Sequence, residues 1–395
     1  MRYAGVTARL QELGGARWAL HALARKMKAE GQPVIELTLG EPDVPVPEPL
    51  RAAAKAGIDA DRLGYSNGRG EPGLLAALAA RYSRRTGRAI GPENLIALPG
   101  TQTALYAVMQ ALLDPGDEVI VGDPMYATYA GVIAATGARL VPVALRPENG
   151  FRLDARDVAA VIGPRTRVLF LNTPHNPTGA VLRAQDLDEL GALARAHDLW
   201  IVSDEVYQEL VFPGAVFASP LDRADLAGRV VVTSSISKSH AAPGFRSGWV
   251  VGPAEFCARL LPLAEAMLFG NQPFIADMTA LAVAAPSPVA PEMAHRFARR
   301  AALIRRRLDG PLGLRVPMPE AGMFAMLDLR ATGLTGEDFA ARLLRDKLVA
   351  VMPGESFGAG LAGWVRVSLT KSDDLIEEAC ERILALAGEV KESAK

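Results

Sequence analysis

The sequence has few of the features that point to secretion, membrane insertion or nucleic-acid binding. Only two cysteines occur among the 395 residues, Cys257 and Cys380, and they stand far apart, which argues against a disulfide framework or a cysteine-based zinc site. No apolar run reaches the roughly 18 residues that a membrane-spanning helix needs, and the N-terminal stretch lacks the apolar core of a signal peptide. The net charge of −1 offers no excess of positive charge to nucleic acid or to an anionic membrane. We therefore expect a cytoplasmic protein that acts on small molecules, with no metal, nucleic-acid or membrane partner.

What the sequence does contain is enough apolar residues for a large core, since 50% of the chain is hydrophobic. From about residue 71 to 285, short apolar runs alternate with helical patterns, which predicts a three-layer α/β domain with a mostly parallel sheet. After a long basic helix at 291–308, the pattern of strand, strand, helix, strand, strand, helix predicts a smaller α+β domain. The predicted division is an N-terminal segment 1–45 packing with the small domain, a large ligand-binding domain 46–285 and a small C-terminal domain 286–395.

One glycine-rich stretch imitates a dinucleotide-binding loop. GRGEPG (68–73) fits the pattern G-x-G-x-x-G, but that motif must follow a buried strand, and the polar, turn-like LGYSN (63–67) precedes it. The glycines are typical of a turn, so we predict no nicotinamide cofactor.

Two polar segments directly follow apolar strand patterns. SDEVY (203–207) ends the run LWIVSD, so Asp204 is expected at the carboxyl end of a parallel strand, where open α/β sheets bind their ligands. NTPHNPTG (172–179) follows RVLFLN in the same way. Taken alone, the first pattern also fits a loop aspartate that caps a turn, and the second fits an Asn-Pro-Gly turn.

Two further segments carry groups suited to an anion or to covalent chemistry. PGTQTALYAV (99–108) opens an apolar helix whose free N–H groups and positive dipole end suit a phosphate, although any capped helix begins in this way. TSSISKSHAAPGFRSGW (233–249) places Lys238 among serines and small residues, with Arg246 eight positions later. A lone lysine in such surroundings suits reaction through its amine, because no neighbouring carboxylate holds it charged.

Together these four segments resemble the class I/II aminotransferases of fold type I, which use pyridoxal 5′-phosphate. The resemblance covers nearly the whole chain in order and spacing, and in character the chain is similar to the bacterial arginine:pyruvate transaminase branch. It implies a homodimeric transaminase with shared active sites, which moves an amino group from an L-amino acid to a 2-oxo acid by a ping-pong mechanism. The other motifs that carry it are LGEPD (39–43), the stretch from Tyr65 to Gly70, PGESFG (353–358) and WVRVSL (364–369).

The resemblance implies a set of catalytic residues around the cofactor ring. Lys238 matches the lysine that forms the Schiff base and then serves as general base and acid. Asp204 matches the carboxylate that keeps the pyridine nitrogen protonated, so that the ring acts as an electron sink. Tyr207 and Asn176 match residues that hydrogen-bond the phenolic oxygen of the cofactor, and Tyr126 matches the aromatic residue that stacks on the ring.

Further matches concern the cofactor phosphate and the substrate. The groups expected to hold the phosphate are Gly100, Thr101, Gln102, Ser235 and Arg246. The partner subunit's Tyr65 is expected to reach the same phosphate. Arg366 matches the arginine that clamps the substrate α-carboxylate through two guanidinium nitrogens, and Gly40 is expected to present its backbone to that carboxylate. Tyr126 and Asn176 are expected to contact the substrate as well.

The pocket for the substrate side chain is the part of the site that these motifs determine least. Trp18, His21, Met323 and Phe324 fall where the N-terminal segment and the small domain line that pocket, and each is apolar or weakly polar. A guanidinium would require a carboxylate, which WALH (18–21) does not contain. A dicarboxylate donor would require a second arginine, which the motifs do not locate. We expect a neutral, aromatic or basic donor, with the aspartate and the arginine:pyruvate reactions as specific alternatives.

Other functions stay open at the level of the sequence. A C–S lyase or another β-eliminating enzyme of the same fold would share the lysine, aspartate and arginine set and differ in which bond at Cα stands perpendicular to the ring. A transcriptional regulator with an aminotransferase-like domain would carry a basic DNA-binding module, which the near-neutral charge does not favour. The sequence departs from the family at Leu74-Leu75, where a Leu-Arg pair is usual and is generally a surface feature.

Overall fold

A computed structural model describes residues 1–11, 13, 18–268 and 270–393 of the chain. Its helices are α1 Gly5–Gln11, α2 Ala19–Ala29, α3 Glu48–Asp59, α4 Pro72–Thr86, α5 Thr101–Leu112, α6 Tyr129–Thr136, α7 Ala155–Ala159, α8 Ala184–Ala196, α9 Ile236–Ser239, α10 Ala254–Met267, α11 Pro273–Ala284, α12 Ala290–Leu308, α13 Gly336–Lys347 and α14 Asp373–Ser393. Its strands are β1 Ile35–Glu36, β2 Leu95–Leu98, β3 Glu118–Asp123, β4 Arg139–Ala144, β5 Thr166–Asn172, β6 Trp200–Asp204, β7 Val230–Ser235, β8 Gly248–Val251, β9 Phe324–Asp328, β10 Val349–Ala350, β11 Met352–Pro353 and β12 Trp364–Ser368.

The largest sheet has seven strands in the order β2-β8-β7-β6-β5-β3-β4. Strands β4, β3, β5, β6 and β7 run parallel to one another, whereas β8 is antiparallel to both of its neighbours. The predicted α/β class with a mostly parallel sheet is therefore confirmed.

Both faces of this sheet are covered, as the continuous apolar strands require. Side chains alternate along each strand, so Ile120 of β3 joins one buried cluster while Val119 and Val121 join the other. Ile201 and Val202 of β6 divide in the same way. On one face α5 packs with α6 and α10, and on the other α3 and α4 pack with α11. Helices on both faces make the three layers.

A smaller antiparallel sheet, in the order β11-β12-β9, follows the long helix α12. It shares a buried cluster with α12, α13 and α14, and β1 from the N-terminal segment pairs in parallel with β10 beside it. The predicted order of two strands before the next helix differs here, since β9 alone precedes α13 and residues 311–323 form a 3-10 turn and two isolated bridges. Three prolines in that stretch lack the N–H groups that a ladder needs. The predicted boundaries at 45 and 285 stay predictions.

The topology gathers the polar segments at one edge of the large sheet. Strands β5, β6 and β7 end at Asn172, Asp204 and Ser235, and the register pairs Asn172 with Asp204 and Asp204 with Thr233. The carboxyl ends of adjacent parallel strands thus bring residues from distant parts of the chain together. Among the described residues, no helix is both long and apolar enough to cross a membrane.

Candidate active site

A cavity of about 320 Å³ lies at this edge, between the large sheet and the small sheet. The sequence-predicted residues that line it are Gly40, Thr101, Gln102, Tyr126, Asn176, Asp204, Tyr207, Ser235, Lys238, Arg246 and Arg366. The structure thus brings into one cavity nearly all of the residues that the sequence motifs single out.

Lys238 lies on α9, a single turn that begins where β7 ends. Ser235 caps this turn, because its hydroxyl accepts a hydrogen bond from the Ser237 N–H at 3.3 Å. The Lys238 Nζ donates to the carbonyl oxygen of Gly40 at 2.7 Å. Burial, aided by the positive charge of Arg366, lowers the pKa of Lys238 to about 8. The amine therefore loses its proton at a much lower pH than an exposed lysine, and about half of it is neutral at pH 8.

Asp204 is buried at the end of β6, where its carboxylate accepts a hydrogen bond from the Tyr129 hydroxyl at 2.7 Å. The N–H of Val206 donates to the other oxygen at 3.1 Å. Burial raises the pKa of Asp204 to about 6, and the two hydrogen bonds oppose that rise. A cation placed beside this carboxylate would favour its ionised form. The sequence motifs did not identify Tyr129, although it stands three residues after Tyr126 in DPMYATY.

The start of α5 and Arg246 form a cradle for an anion. Gly100 has a positive φ of 86°, and a Cβ there would lie 2.4 Å from the Arg246 guanidinium. The Thr101 hydroxyl is buried and has no hydrogen-bond partner among the described residues. Gln102 accepts from the Thr128 hydroxyl at 2.9 Å, which orients its amide beside the helix start. Free N–H groups, an unpaired hydroxyl and a guanidinium are the donors that a phosphate needs.

These features fit pyridoxal 5′-phosphate. The phosphate would be held by the N–H groups at the start of α5, by the Thr101 and Ser235 hydroxyls and by Arg246. The ring nitrogen would face Asp204, and the amine of Lys238 lies in the same cavity.

Arg366 lies in the middle of β12 and is only 1% exposed. Its guanidinium carbon is 3.7 Å from the ring centre of Phe324 and 4.4 Å from that of Phe357, so the two rings sandwich it. It donates to the Asn176 side-chain oxygen at 3.0 Å and to the Thr38 carbonyl at 2.6 Å, while its Nε has no partner among the described residues. Burial lowers its pKa to about 10. Such a held guanidinium is suited to a carboxylate ligand.

Two tyrosines and Asn176 complete the wall between Asp204 and Arg366. The Asn176 amide donates to the Tyr207 hydroxyl at 3.5 Å while its oxygen accepts from Arg366. The Tyr126 ring meets the Tyr129 ring edge to face, with centres 5.6 Å apart. Burial raises the pKa of both Tyr126 and Tyr207, so their hydroxyls stay protonated.

The residues predicted for the side-chain pocket divide into two groups. Trp18 and Phe324 line the cavity. Met323 is wholly buried in the core of the small sheet, and His21 contacts the Thr38 hydroxyl and Glu36 instead. One further residue, Glu41, lines the cavity and was not predicted as a site residue, although it stands in the LGEPD motif.

Two of the residues predicted for the cofactor site do not line the cavity, Gly100, which directly precedes the lining residue Thr101, and Tyr65. Tyr65 stands between α3 and α4 and is 97% exposed on the single chain. This position is compatible with a role at a second subunit.

Comparison with known proteins gives one consistent family. The family model for aminotransferases of class I and II matches residues 32–383. The chain is 45% identical to the arginine–pyruvate transaminase of Pseudomonas aeruginosa over 390 residues, 99% of both chains. It is 33% identical to the aspartate/prephenate aminotransferase of Thermus thermophilus over 97% of this chain and 99% of that one. The crystal structure of the aspartate aminotransferase from Rhizobium meliloti matches 98% of this chain and 99% of its own, with a TM-score of 0.92 and 31% identity.

Proposed function

The chain belongs to the class I and II aminotransferases, and we propose that it takes the amino group from a basic amino acid, arginine foremost, and passes it to a small 2-oxo acid such as pyruvate. The enzyme is a transaminase that depends on pyridoxal 5′-phosphate, as the sequence resemblance predicted.

The observation that supports a donor other than aspartate is the set of charges in the cavity. Arg246 borders the phosphate cradle, and Arg366 is the remaining arginine among the described lining residues. One arginine that is not committed to the phosphate suits the α-carboxylate that all amino acids share. A second carboxylate on the donor would find no arginine of its own, and burying an unpaired charge is costly. The 45% identity to an arginine–pyruvate transaminase over 99% of both chains supports the basic donor.

The proposed roles follow from the chemistry of the side chains. Bound pyridoxal phosphate supplies an electron sink for the negative charge that develops at the substrate Cα. Asp204 holds the ring nitrogen in its protonated form through its carboxylate. Lys238, whose pKa burial lowers to about 8, would act as general base at the substrate Cα and as general acid that delivers the same proton to the cofactor carbon. Tyr207 and Asn176 orient the phenolic edge of the cofactor, and Tyr126 covers one face of the ring.

Binding roles complete the proposal. Gly100, Thr101, Gln102, Ser235 and Arg246 hold the phosphate. Arg366 binds the substrate α-carboxylate, with Asn176 beside it, and the backbone of Gly40 borders the same space. The remaining assignments are a cytoplasmic location and a homodimer in which the partner subunit's Tyr65 completes the phosphate site.

The proposed reaction can be tested with a panel of amino donors and 2-oxo acid acceptors, using the absorbance spectrum of the cofactor as the measurement. L-Arginine added alone to the loaded enzyme should convert the cofactor to its pyridoxamine form, and pyruvate should restore the original spectrum. L-Aspartate should do so much more slowly, because its second carboxylate lacks a cation. Neutral and aromatic amino acids complete the panel.

Two outcomes would contradict the proposal in different ways. Steady release of ammonia and a 2-oxo acid without a change in the cofactor spectrum would indicate the alternative lyase activity. Aspartate outperforming arginine would keep the transaminase and reject the basic donor.

A further inference from the structure

The cavity contains carboxylates that could bind a cationic group on the donor side chain. Among the described lining residues, Asp204 and Glu41 are acidic. Asp204 is buried at the carboxyl end of β6 and already accepts hydrogen bonds from Tyr129 and from the Val206 N–H. The ring nitrogen of bound pyridoxal phosphate would occupy the remaining hydrogen-bonding capacity of this carboxylate. Among the described lining residues, Glu41 is therefore the carboxylate that stays available to the substrate.

Glu41 is held at the cavity by residues on both sides of it in the chain. The carbonyl of Gly40 accepts from the Lys238 Nζ at 2.7 Å. Asp43 accepts from Arg296 at 2.9 Å and from Arg300 at 2.6 Å. These contacts fix the backbone of the segment 40–43, while the Glu41 side chain stays exposed at the cavity.

The Glu41 carboxylate makes no hydrogen bond and no ion pair with the part of the chain that the structure describes. Its negative charge is near enough to Lys238 to raise the pKa of that amine, against the larger opposing effect of burial. The carboxylate thus lies within electrostatic range of the reacting centre and remains available to a ligand. Trp18, which lines the same cavity, offers an aromatic surface for an alkyl or guanidinium group.

We propose that Glu41 selects a cationic amino donor, by pairing with the guanidinium or ammonium group at the end of the donor side chain while Arg366 holds the α-carboxylate. This deepens the proposed function and rests on it. A long basic side chain carries its charge away from Cα, along Trp18 toward the exposed edge of the cavity where Glu41 lies. An acidic side chain would instead meet a like charge there. The pair is partly exposed, so salt should weaken it.

A binding measurement on the loaded enzyme tests the role of Glu41 without turnover. The probes are 5-guanidinopentanoate and its neutral counterpart 5-ureidopentanoate, which lack an amino group and differ mainly in charge at the far end. Wild type should bind the guanidino acid more tightly. Glu41→Gln should lower the affinity for the guanidino acid by about tenfold and leave the affinity for the ureido acid unchanged, because only the charge-assisted contact is lost.

Glu30→Gln serves as the matched control, since Glu30 caps the end of α2 and is paired with Lys26 away from the cavity. This variant removes the same charge and should keep the affinities of wild type. Equal weakening of both probes by Glu41→Gln would assign Glu41 to general packing and overturn the proposal. An unchanged preference for the guanidino acid in Glu41→Gln would overturn it as well.

A kinetic comparison separates this inference from the proposed function. The ratio of kcat/KM for L-arginine to that for L-citrulline should fall by about tenfold in Glu41→Gln, with the value for citrulline maintained. If wild type did not use arginine at all, the donor proposal would fail, and the binding measurement would still decide the role of Glu41. If arginine were a good donor and the ratio stayed constant, the selection by Glu41 would fail alone.

Discussion

At the scale of single residues, the cavity is built around buried charges that do not neutralise one another. Burial moves the pKa of Lys238 down to about 8, that of Asp204 up to about 6 and that of Arg366 down to about 10. In each case the low-dielectric surroundings disfavour the charged form. A cofactor cation beside Asp204 and a substrate carboxylate beside Arg366 supply the missing opposite charges. These residues are therefore arranged for ligand binding at a cost to the empty protein.

The first prediction concerns the stability of the protein freed of cofactor. The folded-state pKa of Asp204 is about 6, above the ordinary value of 3.8, so the folded state binds its proton more tightly than the unfolded state. The resulting destabilisation is absent below pH 4, grows between pH 4 and pH 6 and is constant above it. Asp204→Asn should raise the unfolding free energy at pH 8 by up to about 3 kcal/mol, measured by denaturant titration.

The control is to compare wild type with Asp204→Asn below pH 4, where their unfolding free energies should no longer differ. Tyr129→Phe should act in the opposite sense, because its hydroxyl opposes the rise of the Asp204 pKa. Equal stabilities of wild type and Asp204→Asn at pH 8 would contradict the buried, unpaired carboxylate.

The second prediction concerns Arg366. Arg366→Ala should weaken the binding of every amino donor by about 2 to 5 kcal/mol, because a buried charge-assisted contact to the α-carboxylate is lost. Arg366→Lys should recover little, since an ammonium cannot reproduce the planar fork between Phe324 and Phe357. The measurement is KM and the dissociation constant across several donors. Arg306→Lys on the exposed side of α12 is the control, and an unchanged KM in Arg366→Ala would remove this residue from the substrate site.

At the scale of elements, short segments determine where the reactive groups point. The single turn α9 begins directly at the end of β7 and directs Lys238 into the cavity. The start of α5 directs its free N–H groups to the same space, and Gly40 and Glu41 of the segment 40–43 line it. Each segment is held by a specific backbone requirement or ion pair, and these supports are open to mutation.

Gly100→Ala tests the phosphate cradle at the start of α5. The backbone of Gly100 has φ 86° and ψ 166°, a conformation that costs a residue with a side chain roughly 1 to 3 kcal/mol. The added methyl group would also displace the Arg246 guanidinium. We expect the affinity for pyridoxal phosphate to fall by about tenfold or more, measured by fluorescence titration.

Gly73→Ala is the matched control, because nothing lies within 4 Å of its Cβ position and it is in the first turn of α4. Alanine there should leave cofactor affinity unchanged. A Gly100→Ala variant with the affinity of wild type would show that the cradle does not depend on this backbone geometry.

Asp43→Asn tests the anchor of the segment 40–43. Burial alone would raise the pKa of Asp43, but hydrogen bonds from Arg296 and Arg300 outweigh it and hold the pKa below the ordinary value. The pair therefore stabilises the fold above the ordinary carboxyl pKa, and this contribution is lost as the pH falls through the lowered value. At pH 7 we expect a lower Tm and a higher KM for amino donors, with a smaller effect on kcat, because Gly40 and Glu41 are less well positioned.

Asp373→Asn is the comparison variant, since Asp373 contacts Arg300 from its other side without adjoining the cavity. It should lower Tm without raising KM. If both variants raised KM equally, the effect would belong to α12 as a whole and not to the anchor.

At the scale of the whole molecule, the cavity combines residues of the large sheet with Arg366 and Phe324 of the small sheet. The single chain leaves Tyr65 97% exposed, although its motif matches a phosphate-contacting tyrosine. The proposed dimer with shared sites would account for both facts. Mixing subunits that carry different substitutions can test this arrangement.

Lys238→Ala and Tyr65→Ala should each have little activity alone and should complement one another when unfolded and refolded together. A hybrid dimer holds one site with Lys238 from one chain and the partner subunit's Tyr65. An equal mixture should approach about a quarter of wild-type activity, because half of the dimers are hybrids and each has one intact site. A mixture of Lys238→Ala with Asp204→Asn is the control. Because these two residues line one cavity of the same chain, each site of a hybrid dimer carries one of the substitutions, and the mixture should stay inactive. Absence of recovery in the first mixture would contradict the shared site.

Much of the fold could be predicted because its signal is local. Short, continuous apolar runs such as RVLFLN and LWIVSD make each strand recognisable, and the confirmed α/β class follows from their alternation with helices. The predicted order of two strands before the next helix is wrong, because β9 alone precedes α13 and the three prolines of 311–323 lack the N–H groups that a further ladder strand would need. Tyr129 and Glu41 were missed as site residues although each stands in or beside a motif, because a motif does not show which of its side chains face the cavity.

The sequence by itself determined the residue types and their order: the isolated Lys238, the carboxylate of SDEVY, the helix start at GTQ and the family to which they belong. Only the tertiary structure decided that Tyr129 donates to Asp204, that Phe324 lines the cavity while its neighbour Met323 is buried in the core, and that Glu41 borders the reacting amine. The physical reason is the distance along the chain over which each kind of interaction acts. Periodicity and turn chemistry act between near neighbours in the chain, whereas the charge that meets a substrate depends on contacts between residues that the sheet topology alone brings together.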